Sequence, residues 1–474
     1  MGGKKKKEKI ININFIKDDK INKDNLDNED NNENKQSDSN INRPDPVDNA
    51  ENTEALENTA STDSDESINS QENSEKLEKT KKRKFRKISL KTKKITGIII
   101  RSLIVILAVI LVIVIYTNRN NLSAENISEW FNEVIFGQGN GDGYPMTISG
   151  STVYDISPAN KDIALITDTS VMICNKYGKQ YVNRQHGLGN PFMVAGDNRI
   201  LVYDQGGTSL HTENRNDIIF ELETENKIIT ADMNEKGVLA YATRSNGGYM
   251  SEMHVYNANN NEIYKGYSSK YLISDISISS DSKGAAALML GAKDGGYLSA
   301  INIYNFKSDE PIQAEFAEDL FLKLNWSSFG ITAVGTDSTV AISTEGEEEG
   351  RYDYNGYHLI KYAFGKDNQT VLFLSGVDGN TNNGKIVVLD ENCNVIIELD
   401  SQTDVRDIFL AKERLYVLYS SNLKCYDFDS QEIGQWDIPE NAETFTINGN
   451  TAYIFAMNSI TTIDLTKQDN NVSQ

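Results

Sequence analysis

The sequence predicts an all-β domain of eight four-stranded blades, standing behind a single membrane-spanning helix. Three observations lead there. From Tyr144 onward, short β-rich segments recur every 5–10 residues with Gly, Asn and Asp between them. A longer period, with unit starts about 36 to 47 residues apart, overlies that alternation. Ahead of it, Ile95–Tyr116 (ITGIIIRSLIVILAVILVIVIY) is the only stretch long and apolar enough to cross a bilayer. The ~30 Å hydrocarbon core takes ~20 helical residues.

Residues 1–94 come first. Asn22–Glu78 holds only Leu26, Ile41, Val47, Leu56, Ile68 and Leu77 as large aliphatics. That is too little apolar surface to offset chain entropy, so the segment is expected to be disordered. Gly2 does not open a myristoylation site, because Lys6 stands where the pattern requires Ser or Thr. Lys79–Lys94 then carries ten Lys or Arg and no acid, against a lone Arg119 on the far flank of Ile95–Tyr116. Such an excess marks the cytoplasmic side. The expected topology is a bacterial cytoplasmic-membrane protein, with the N-terminal tail inside and an extracellular C-terminal domain. The block is also suited to anionic lipid headgroups, at ~1 kcal/mol for each basic residue near the surface.

Ile95–Tyr116 starts too deep for a removable signal peptide and reads as an uncleaved signal anchor. Arg101, its one charge, lies near the cytoplasmic end, where its stem can snorkel back to the headgroups. Residues 117–143 read as a stalk. Ser123–Phe136 places Ile127, Trp130, Phe131, Val134 and Ile135 at helical spacing, and Gly137–Gly143 (GQGNGDG) forms a hinge.

The domain proper is Tyr144–Leu465. Its units open at YDIS (Tyr154), FMVAG (Phe192), ITADM (Ile229), SDISIS (Ser274), FLKLNW (Phe321), HLIKYAF (His358), VRDIFL (Val405) and TFTI (Thr444). A second strand follows each, such as IALIT at Ile163 or RLYVLYS at Arg414. Third strands end in phrases such as HVYN, NIYN, VVLD and CYDF, and a more exposed fourth closes most units. Four strands at this period are the signature of a β-propeller blade. Eight units are counted; seven is the alternative, because the His358 unit is the least regular. The last unit supplies three strands, and YPMTIS at Tyr144–Ser149 is expected to complete it and close the ring. Residues 466–474 form a disordered C-terminus.

The third-strand phrases HVYNANNNEIY, KIVVLDENCNVIIEL and LKCYDFDSQEIGQW resemble blades of quinoprotein-like and tryptophan–aspartate-type (WD40-like) propellers. The whole arrangement resembles a family of bacterial single-pass membrane proteins with an extracytoplasmic propeller. Trp436-Asp437 stands alone in a fourth strand, and the tryptophan-docking pattern of quinone dehydrogenases is missing. The resemblance therefore implies the fold, with no cofactor and no catalytic residue.

Chemistry-bearing motifs are sparse. The four histidines, His186, His211, His254 and His358, lie at no metal-ligand spacing, and no P-loop, nucleophile elbow or dinucleotide fingerprint occurs. No metal or cofactor site is expected. Cys174, Cys393 and Cys425 sit in strand-like surroundings and read as buried small hydrophobes. Asp378–Gly384 spaces oxygen donors as calcium loops do, but its Gly falls one place late and Leu389 holds the twelfth place; an Asn-rich β-turn is the other reading. The part beyond Arg119 has 24 basic and 49 acidic residues, a net of −25, which repels nucleic acid.

Glu345–Tyr357 (EGEEEGRYDYNGY) is expected as an inter-strand loop. It reads as a solvated loop or, in a functional reading, as a contact surface presenting Glu347, Glu348, Glu349, Tyr352, Tyr354 and Tyr357 to a basic partner. The connection Arg184–Gly189 leading to Asn190-Pro191 reads either as a channel-mouth segment or simply as a turn. The function implied is a membrane-anchored cell-envelope binding or scaffolding protein, meeting an envelope protein or glycan. The alternative is an envelope enzyme or ligand sensor acting on a glycan or peptide at the channel.

Overall fold

Strands that alternate small aliphatics with Tyr, Thr and Ser cannot bury both faces in a single sheet, so they stack sheet on sheet. A computed structural model shows how. It describes residues 101–106, 108–109, 141–148, 150, 152–308, 310–366, 368–376, 384–401 and 404–467. The chain falls into two units, residues 19–118 and residues 1–18 with 119–474. In the first, the described residues 101–106 and 108–109 are helical and exposed, Arg101 among them. Among the described residues no helix is long and apolar enough to cross a membrane. The tail (1–94), most of Ile95–Tyr116, nearly all of the stalk, the Asp378–Asn383 part of the calcium-like loop and residues 468–474 lie outside the described residues.

In the second unit eight antiparallel four-stranded sheets form the blades of a propeller. Their inner strands are Val153–Ala159, Pro191–Ala195, Ile228–Met233, Leu272–Ile278, Phe321–Trp326, His358–Phe364, Val405–Ala411 and Ala442–Asn448, for blades 1 to 8. Each contains one of the eight predicted unit starts. The His358 unit is a regular blade, Gly384–Leu389 and Val395–Ser401 supplying its third and outer strands.

Blade 8 is closed as the sequence predicts. Met146–Thr147 pairs antiparallel with Ser459–Asp464, Met146 opposite Ile460 and Thr147 opposite Ser459. Ile148 N–H donates to the Asn458 carbonyl at 2.9 Å. Met146 and Ile148 are buried with Tyr453, Phe455 and Ile460 of blade 8 and Ile163 and Leu165 of blade 1. The first strand thus removes an edge that would otherwise bare unpaired backbone groups.

The core is distributed. Eight hydrophobic clusters are present, each drawn from two neighbouring blades: 1 with 2, 2 with 3, and so on to 8 with 1. Second strands such as Asp162–Thr167 and Thr370–Ser375 are buried at every residue, because both faces of each blade are covered. The cysteines sit in three different wedges, Cys174 in 8/1, Cys393 in 5/6 and Cys425 in 7/8. All are free, and burial pushes their thiols up to about 12, 12 and 11, which leaves them inert.

Candidate functional site: the channel mouth

Antiparallel order fixes which residues share a face. Each inner strand starts at one face of the ring, and the second strand returns to it. The connections between blades, such as 186–190, lie on that same face. The turns inside each blade's first and third hairpins, such as 160–161 and 176–179, lie on the opposite one. The chain enters there: Gly143 N–H donates to the Tyr177 carbonyl at 3.2 Å, and the Tyr144 hydroxyl to the Asn175 carbonyl at 2.9 Å.

Seven of the eight inner strands carry a β-bulge near their start. A bulge leaves one residue unpaired and re-aims its side chain. The bulged residues are Tyr154, Ile229, Ser274, Leu322, Ile360, Arg406 and Glu443, and Phe192 holds the matching place in blade 2, which has no bulge. Tyr154 is 55%, Phe192 40%, Leu322 47% and Ile360 47% exposed. The mouth of the channel therefore has an apolar collar on five of its first six blades, and charged side chains on blades 7 and 8.

One residue further in, the seven bulged strands place Asp155, Thr230, Asp275, Lys323, Lys361, Asp407 and Thr444. Several of these tie blades together. Asp275 accepts from Lys323 Nζ at 2.8 Å and from Leu324 N–H at 2.8 Å, joining blade 4 to blade 5. Asp407 accepts from Lys361 Nζ at 2.8 Å, from Thr444 Oγ1 at 2.5 Å and from Phe445 N–H at 3.3 Å, joining blades 6, 7 and 8. Asp232, two residues beyond Thr230, accepts from Ile278 N–H at 2.8 Å. Each carboxylate caps the free edge of the next inner strand, whose amides have no further strand to pair with.

Lys323 lies at the centre of this arrangement. It interacts with Asp275, Asp232 and Tyr203 from blades 4, 3 and 2, and with Tyr362 of blade 6, whose hydroxyl burial raises against a smaller opposing pull from Lys323. Its side chain is 35% exposed, which places it in the channel. Burial alone would lower its ammonium; Asp275 first and then Asp232 outweigh that and raise it. Burial raises Asp232, against Lys323 and the Ile278 amide.

Asp155 differs. It accepts from Ser157 Oγ at 2.9 Å and from the Ile156 amide, and it has no ion pair among the described residues. Burial, with a smaller push from the Asp407 charge, raises its carboxyl to about 6.

The acidic segment proposed from sequence lies elsewhere and needs one correction. Glu348–Asp353 is not a loop but the outer strand of blade 5, paired with Ser338–Ile342. Gly350 faces the Asn392 carbonyl of blade 6, where a Cβ would come within 1.9 Å. Arg351 fixes the strand by two parallel bonds to Asp319 at 3.0 Å and two to Glu348 at 3.0 and 3.1 Å. Glu347, Glu348 and Glu349 are exposed. The tyrosines have partners within the chain. Tyr354 is fully buried with its hydroxyl 2.7 Å from Thr339 Oγ1, and Tyr352 and Tyr357 hold Lys385 Nζ at 5.5 and 4.8 Å from their ring centres. Residues 186–190 do lie on the collar face, folded back by His186 Nε2 against the Thr167 carbonyl at 3.0 Å.

Among the described residues, no three of His, Cys, Asp and Glu are grouped to hold a metal. The collar and the charged ring were missed in sequence, although a signal existed. Asp, Lys or Thr recurs at the third place of most unit-opening strands.

Several solved structures are similar to the chain. The WD40 domain of Sif2 is 10% identical with a TM-score of 0.48, covering 68% of this chain and 98% of its own. BamB of Moraxella catarrhalis is 10% identical with a TM-score of 0.42, covering 67% and 98%. AztD of Citrobacter koseri is 11% identical with a TM-score of 0.43, covering 61% and 86%. No curated protein matches the chain. A family profile does, over residues 140–465, and the chain belongs to that family, the family of unknown function DUF5711.

Proposed function

We propose that this protein is a membrane-anchored binding or scaffolding protein of the bacterial cell envelope, and that the collar is its recognition face. The observation that carries this reading is the exposed apolar side chains Tyr154 and Phe192 on blades 1 and 2 and Leu322 and Ile360 on blades 5 and 6, at one mouth of a closed propeller. Clusters of exposed apolar side chains mark interaction sites. The collar lies on the face opposite the chain entry at Gly143. Anchoring through Ile95–Tyr116 is supported by the basic block before it. It is also supported by Leu103, Ile104, Val105, Ile106 and Val109, which are each more than half exposed and apolar on all sides of their helix.

The test combines topology with crosslinking. Protease added outside the cytoplasmic membrane should digest the propeller or stalk and spare the tail; digestion of the tail alone would overturn the orientation. A photoreactive side chain at position 322, on the collar, should give a discrete protein adduct in intact membranes. The same probe at position 329, exposed on the opposite face, should not. Equal adducts at both positions would overturn the collar as recognition face.

A further inference from the structure

We propose that Asp155, with the rim side chains Tyr154 and Phe192, receives a lysine or arginine side chain carried in an otherwise apolar segment of a partner protein. This rests on the collar being the recognition face, and it names what the collar recognises.

The ring supplies its own comparison. Three blades place aspartate directly after the bulge: Asp155, Asp275 and Asp407. Two of the three have a lysine from an adjacent blade at 2.8 Å, Lys323 for Asp275 and Lys361 for Asp407. Asp155 has none. Blade 8 offers Thr444 at the equivalent place, and the inner strand of blade 2, PFMVA, offers no cation. An ionised carboxylate in such a site is costly unless a cation joins it. Burial accordingly raises the Asp155 carboxyl to about 6. A side chain that destabilises its own fold is expected where function requires it.

The surroundings select the kind of cation. Tyr154 precedes Asp155 and is 55% exposed, and Phe192 on the neighbouring blade is 40% exposed and stacked on Tyr203 at 5.6 Å. Aromatic faces attract ammonium and guanidinium groups. Leu322 and Ile360 continue the apolar rim across the mouth on blades 5 and 6, further than one small cation would need. A polypeptide segment with apolar side chains on either side of a basic residue satisfies both features. The acidic balance of the domain would also speed the approach of such a segment.

The experiment uses the full chain in detergent micelles and a phage library of random dodecapeptides. The strongest selected peptide is synthesised twice, once as selected and once with its basic residue replaced by neutral citrulline or norleucine. The expected result is a Lys or Arg flanked by aliphatic or aromatic residues, with affinity at least tenfold weaker for Asp155→Asn. The neutral peptide should bind wild type and Asp155→Asn alike. Leu322→Glu should weaken both peptides. Asp155→Asn is isosteric, and an unchanged circular dichroism spectrum shows that it folds. If Leu322→Glu abolishes binding while Asp155→Asn does not, the recognition face stands and the cation inference falls. If neither variant matters, or no peptide is enriched, both fall. Displacement of the peptide by free n-butylguanidinium at matching concentration would show a small-molecule cation site and overturn the polypeptide partner.

Discussion

Lys323 of blade 5 reaches back to Asp275 of blade 4, Nζ to Oδ1 at 2.8 Å, while Lys361 of blade 6 reaches forward to Asp407 of blade 7 at the same distance. The two lysines stand on adjacent blades and pull in opposite directions round the ring. No aspartate therefore caps the inner strand of blade 6 from blade 5. That interface is held by the packing of Val334, Ala341 and Tyr354 against Leu372, Leu374 and Val387, and by Asn325 Nδ2 bonding to Asn368 Oδ1 at 3.2 Å.

Removing one partner of the Asp275–Lys323 pair leaves a charge and the Leu324 amide without an acceptor. Asp275→Ala is expected to cost about 2–4 kcal/mol, toward the low end for a buried pair because Lys323 opens on the channel. Replacing both, as Asp275→Asn with Lys323→Met, should recover a large part of that loss. Urea unfolding of the single and double variants measures the coupling, and strict additivity would show that the pair is not coupled.

Asp155 gives the opposite sign. Its native carboxyl titrates at about 6, above its ordinary value of 3.8, so folding favours the protonated form. The ionised form lowers stability above pH 6, and that loss is relieved as pH falls through 6 toward 4. Asp155→Asn should therefore stabilise the protein at pH 8, on the order of 2 kcal/mol, and change nothing at pH 4. Thermal unfolding at both values checks it; a destabilised variant at pH 8 would contradict the assignment.

Ring closure is open to direct measurement. A chain beginning at residue 151 loses the buried side chains of Met146 and Ile148 and bares the edge of Ser459–Asp464. Burying two such side chains is worth about 3–6 kcal/mol. The melting temperature should fall by roughly 10 °C, with aggregation, relative to a chain beginning at residue 143. Equal midpoints would mean that the first strand does not hold the ring shut.

Tyr354 separates packing from recognition. Being fully buried and bonded to Thr339, it should tolerate Tyr354→Phe at about 1 kcal/mol and lose about 3–5 kcal/mol as Tyr354→Ala. Glu349→Lys, on the exposed outer strand, should leave stability unchanged within ~0.5 kcal/mol. Denaturant midpoints for the three variants distinguish the roles.

The framework was legible because it rests on period. Every inner strand contains a segment that alternation and spacing had marked, and YPMTIS found its place because the last unit was one strand short. The outer strand of blade 5 was not legible. EEGRYD has no aliphatic alternation, and its place depends on Asp319 binding Arg351 and on the Asn392 carbonyl facing Gly350, both remote in sequence. The collar escaped for a related reason. A bulge shifts the register by one residue, so a simple alternation assigns Leu322 and Lys323 to the wrong sides.

Pairing the first strand with the last also has a consequence for biosynthesis. Met146 emerges from the ribosome long before its partner Ile460. Blades 1 to 7 have all four of their own strands as soon as each is made, yet the circle stays open until translation has passed residue 464. The slow, non-local step thus comes last. A chain cut short anywhere in the final blade leaves Met146–Thr147 without its partner strand and the circle of blades unclosed.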